Sequence, residues 1–290
     1  MNSIKHFIFK FIFILTQNKM PIYVDTSYIK GIKKSIKQKN QKCFFTSSLT
    51  ILEIATHYFN NRSERIFNIT KSCLEYINKI KIDWRMTEEV FNDAFPNKKK
   101  KYIKCGDLKK LYCAFLASKN ESELIEKIAT INVTEAIDYD IFLGKGMSGT
   151  NRMVEFVDNL EKAFNNNSIQ NFVYQDSLPP TNVKDFLFDM YNTHIEAARI
   201  FILYSLLMRR ELNDPQKNPI DGYNDSLELM LSAMAHHLFE KAYHKNKFKR
   251  NDMIDLYHLA YVNKFTRIMS KEKVIKEYVK KYQPYSLIEE

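Results

Sequence analysis

Five carboxylates, Asp25, Glu53, Asp252, Asp255 and Glu272, are the side chains whose setting in the sequence suggests shared chemistry. Asp25 ends the apolar run Ile22-Tyr23-Val24, and Glu53 sits among Leu49, Ile51, Leu52, Ile54 and Ala55. A carboxylate on an apolar helix face is costly to bury unless it is paired or ligates a cation. Asp252 and Asp255 stand three apart, which puts both on one helical face. Glu272 follows the strand-like stretch Phe265–Met269. Carboxylates brought together repel, so they take up protons or bind cations. Hard oxygen ligands select Mg²⁺ or Mn²⁺. Such an ion activates a bound water and neutralises charge building on a phosphate, the chemistry of metal-dependent nucleases. Each acid also has a plain alternative. Asp25 and Asp252 suit helix caps or turns, and Glu272 suits the first turn of a helix, where the dipole favours negative charge.

Positioning these acids requires strands that deliver them and helices that carry them. Residues 21–24 read as a first strand, with Thr26 and Ser27 as caps for a helix from Tyr28 to about Lys37. Lys42–Thr46 reads as a second strand, and Ser47 or Ser48 opens the helix that bears Glu53. Residues 62–80 keep helical spacing through Ile66, Ile69, Cys73, Ile77 and Ile80. Ile80–Trp84 reads as a third strand, and Thr87 caps a helix running to Phe95. Asn251-Asp252 reads as the start of another helix, and Phe265–Met269 as a fourth strand. Acids past the carboxyl ends of strands in an α/β sheet are where such sites are assembled.

The chain resembles the PIN-domain family of metal-dependent nucleases, which includes many bacterial toxin components. The residues that carry the resemblance are IYVDTS at 22–27, TSSLTILEIA at 46–55, NDMIDLYHLAY at 251–261 and RIMSKEK at 267–273. It implies an α/β fold with a short, mainly parallel sheet flanked by helices. It also implies a catalytic set of Asp25, Glu53, Asp255 (or Asp252) and Glu272 holding Mg²⁺ or Mn²⁺. Ser27, Asn251 and Ser270 would support that set. Glu272 departs from the family's usual Asp by one methylene. RNA as substrate, and an antitoxin-like protein as partner, follow from the resemblance and not from the residues.

The resemblance covers residues 20–96 and 227–290, leaving 97–226 as an all-helical insertion. Its stripes, Leu108–Ser118, Glu121–Ile131, Asn151–Phe164 and Val183–Arg210, read as core-forming faces. Residues 1–19 hold the apolar run Phe7–Leu15, interrupted by Lys10 and too short to span a membrane. Met20 stands directly before the first strand, and translation is expected to start there.

Composition agrees with a globular, helix-rich chain of 290 residues that is 45% hydrophobic, with only 6 Gly and 7 Pro. The formal charge of +10 suits a polyanionic partner. Lys98, Lys99, Lys249 and Arg250 are candidate contacts to a nucleic-acid backbone. The four cysteines form no C-x-x-C pair, and a reducing cytoplasmic compartment is expected. Rival motifs are weaker. Gly144–Gly149 matches G-x-G-x-x-G, yet its surroundings supply too few strands for a dinucleotide fold. His236 and Glu240 share a helix face without further ligands, and His258 follows Asp255 by three. Neither G-x-S-x-G nor a Walker A motif occurs.

Overall fold

The computed structural model describes residues 20–31, 43–94, 105–138, 223–243 and 250–288. The lead at 1–19, Lys98 and Lys99, the 144–149 glycines, the helices expected at 151–164 and 183–210, and Lys249 lie outside them. Over the described residues the order is β1 (Ile22–Val24), α1 (Thr26–Lys30), β2 (Phe44–Ser47), α2 (Ser48–Asn60), α3 (Glu64–Ile77), β3 (Lys81–Asp83) and α4 (Thr87–Asp93). Then come α5 (Gly106–Ala117), α6 (Glu121–Ile128), α7 (Val133–Ala136), α8 (Glu228–Tyr243), α9 (Arg250–Tyr257), β4 (Arg267–Met269) and α10 (Lys273–Tyr282). The fold class is α/β.

The four strands form one parallel sheet in the order β3-β2-β1-β4. Each strand is three or four residues long, a few β-branched and aromatic side chains bounded by polar ones. Such short strands gain little from pairing alone. Helix burial on the sheet does the rest, because parallel sheets are covered on both faces. The registers Tyr23↔Phe45 and Tyr23↔Ile268 place the two chain ends side by side. Past β4, Leu287 bridges to Ile268, and Ile288 N–H donates to Ile268 C=O at 3.0 Å.

The chain divides into two compact units. The first contains residues 1–85, 104–137 and 261–290, and so holds the whole sheet. The second contains 86–103 and 138–260, and so holds α4, α8 and α9. Helices α5 to α7, grouped by sequence with the insertion, therefore belong with the sheet. The cause is an aromatic cluster: Phe115 of α5 meets Tyr58 edge-on at 5.2 Å and stacks on Phe67 at 6.2 Å. Phe67, Phe115 and Tyr58 are almost fully buried. Aromatic rings carry the largest apolar area a side chain can bury, so this cluster fixes α5 on α2 and α3.

Within the second unit, α8 packs on α9, and Phe91 of α4 lies against Tyr257 at 5.6 Å. Ser226 to Tyr243 reads as one helix in sequence, and α8 spans Glu228–Tyr243. Helix α9 begins at Arg250, so Asn251 and Asp252 occupy its first turn rather than preceding it.

Candidate functional site

The strand order creates a switch point. From β1 the chain runs outward through β2 to β3, then returns to add β4 on the other side of β1. Connections leaving in opposite directions open a crevice beyond the carboxyl ends of the adjacent strands β1 and β4, where α/β folds bind ligands. In this chain those ends are Asp25 and Ser270.

Asp25 is 1% exposed. It caps α1, accepting from Tyr28 N–H at 2.8 Å, so the expected caps Thr26 and Ser27 are replaced by Asp25 itself. The freed hydroxyls do other work. Ser27 Oγ donates to the Asp25 carboxylate, 2.9 and 3.0 Å from its two oxygens. Ser270 Oγ donates to Asp25 Oδ2 from the other end of the chain. The two serine oxygens lie 3.3 Å apart. Lys271 N–H donates to Ser27 Oγ at 2.8 Å, and Glu272 N–H to Ser270 Oγ at 3.0 Å, which closes the network. A buried carboxylate is tolerated because donors surround it.

Thr26 turns the other way and donates its hydroxyl to Glu53 Oε2. Glu53 is half-buried, so the helix α2 acid expected among apolar neighbours is tethered to the residue after Asp25. Asp25 and Glu53 are thereby held by adjacent positions of one turn. Glu272 sits at the N-cap of α10, exposed, and makes no side-chain cap bond. Only its backbone joins the serine network.

Behind the site, Tyr23 stacks on Tyr261 with ring centroids 5.7 Å apart and planes 4° from parallel. Its hydroxyl lies 2.8 Å from Ser47 Oγ, and burial pushes its phenol well above the usual range. Ser47, expected as a helix cap, makes no cap bond because Tyr23 engages its hydroxyl.

Asp252 and Asp255 belong to the second unit. There Asp252 Oδ2 lies 3.5 Å from His237 Nε2, across the α8–α9 contact. His258 and His236 are buried, as a packed histidine would be. Arg250 and Asn251 open α9. Among the described residues, no group of three or more His, Cys, Asp or Glu side chains stands together as a metal site. The donors at the switch point are hard oxygens of the type a divalent cation prefers. Among the described residues their number falls short of a complete ligand set.

Two contributions escaped the sequence reading. Thr26 reads as a cap, yet it orients Glu53. Trp84, directly after β3, stands at the same carboxyl edge of the sheet, and its position as the residue past a strand was the available signal. No helix among the described residues is long and apolar enough to cross a membrane. No protein-family model, curated protein or solved structure matches the chain, so the likeness to PIN domains rests on the quoted residues.

Proposed function

We propose that the protein is a metal-dependent endoribonuclease of PIN type whose reaction is centred on Asp25. The observation that carries this reading is the caged, buried carboxylate at the β1/β4 switch point, with Glu53 tethered one residue away. Asp25 and Glu53 would hold a Mg²⁺ or Mn²⁺ ion, and Glu272 would approach it from α10. Bound there, the ion would activate water and offset charge on the scissile phosphate. Ser27 and Ser270 fix the orientation of Asp25, and Thr26 fixes that of Glu53, so neither acid must be ordered when substrate arrives. The basic excess of the chain suits an RNA backbone. A toxin role opposed by an antitoxin-like protein is part of the same proposal.

The test is cleavage of single-stranded RNA by the full chain with Mg²⁺, with Mn²⁺ and with chelator. Metal-dependent cleavage that disappears in Asp25→Asn supports the nuclease. Cleavage that persists in chelator refutes it.

A second reading has its own observation, the absence of a three-acid group among the described residues. On that reading the same fold binds RNA without cutting it. RNA binding with no cleavage under any metal would select this module.

A further inference from the structure

The carboxyl edge of the sheet carries more than acids. The register Ser47↔Asp83 continues the row that begins at Ser270 and Asp25, and Trp84 follows Asp83 directly. Trp84 is half-buried. Tyr112 of α5 meets its ring edge-on at 5.5 Å and 75°. Lys109 Nζ lies 5.1 Å from the ring centroid. Cys105 Sγ lies 3.3 Å from the Trp84 carbonyl oxygen, further tying the segment to the start of α5. The indole is thus a supported, half-buried aromatic surface with Lys109 over one face, which leaves the other for a base. Two strand spacings separate β3 from β1, about 10 Å at roughly 4.8 Å each. That puts Trp84 within a nucleotide or two of Asp25 along an extended strand. Lys271 lies at the opposite end of the same row, exposed apart from its bond to the Gly31 carbonyl at 3.1 Å.

We infer that Trp84 is a base-stacking platform for single-stranded RNA lying across the carboxyl edge of the sheet. The inference rests on the nuclease reading for its partner and adds how that partner is gripped. Stacking on an aromatic face tolerates any base and contributes about 1–3 kcal/mol per base, in step with a basic backbone track. A duplex, whose bases are already stacked and paired, offers no free face to the indole.

The chain contains a single tryptophan, so its fluorescence reports Trp84 alone. The experiment titrates full-length Asp25→Asn protein with a short dye-labelled oligoadenylate, reading dye anisotropy and tryptophan emission together. The expected result is a loss of emission that follows the anisotropy curve, and a much smaller loss with duplex RNA of the same length. Trp84→Ala should weaken binding by about 5- to 150-fold, whereas Trp84→Phe, which keeps a ring against Tyr112, should stay within about threefold. Anisotropy that saturates while emission stays constant overturns the platform and leaves the nuclease reading standing. Equal quenching by duplex overturns it as well. If the oligoadenylate does not bind at all, the platform fails together with the partner it was assigned. Because the fluorescence arm keeps the indole intact, it decides the matter even where Trp84→Ala does not fold.

Discussion

Replacing Asp25 by alanine and by asparagine separates its structural role from its chemical one. The side chain caps α1 through Tyr28 and accepts from Ser27 and Ser270. Alanine removes the cap, about 1 kcal/mol. It also removes a charged acceptor from two hydroxyls, at about 1.5–3 kcal/mol for each such bond. The serines lie 3.3 Å apart and can bond to each other, so roughly one of those bonds is lost in full. Relief from burying a charge offsets part of the remainder. The net expectation is about 2–4 kcal/mol, which for 290 residues lowers Tm by roughly 3–7 °C. Asparagine keeps one oxygen for Tyr28 and presents an N–H to Ser270 Oγ, which can accept. Its cost is about 1 kcal/mol, a few degrees at most. Cleavage should vanish in both variants, because the amide ligates a cation poorly. Circular-dichroism melts alongside RNA cleavage provide the test. Alanine and asparagine variants that melt within about 1 °C of each other would refute the caged carboxylate as the organiser of the two chain ends. Undiminished cleavage in Asp25→Asn would refute its chemistry.

Thr26→Val keeps the shape and removes the hydroxyl bonded to Glu53, so cleavage should fall while stability drops by only about 1 kcal/mol; unchanged cleavage would mean Glu53 needs no tether. Glu272→Asp should retain cleavage and Glu272→Gln should lose it if this exposed acid reaches the site, measured on the same RNA assay. Phe115→Ala opens the ring cluster around Tyr58 and Phe67 and should cost about 3–5 kcal/mol in urea unfolding, whereas a surface position would cost almost nothing. Burial raises the phenols of Tyr23 and Tyr58 and pushes Tyr112 up to about 12. A phenol kept neutral in the folded state contributes stability that is complete below its unfolded pKa of about 10 and lost as pH rises further. Stability should therefore fall above pH 10, and absorbance at high pH should show these tyrosines ionising late, in step with unfolding.

Much of the local structure was legible in the residues. Ile22-Tyr23-Val24 before Asp25, the spacing of α3, and the strand before Ser270 all follow from side-chain period and from where polar residues interrupt it. Those signals act over a few residues, so they fix strands and helices but not their partners. The sequence alone therefore determined an α/β chain whose two ends carry acids next to strand ends. Tertiary structure decided how those residues are used. Parallel pairing of β1 with β4 set Ser270 against Asp25, although 245 positions separate them. Asp25 caps α1 as its residue type favours, whereas its bond from Ser270 and the bond of Thr26 to Glu53 are encoded by no local propensity. Packing of Phe115 on Tyr58 and Phe67 drew residues 106–136 into the sheet unit, because buried aromatic area outweighs position along the chain.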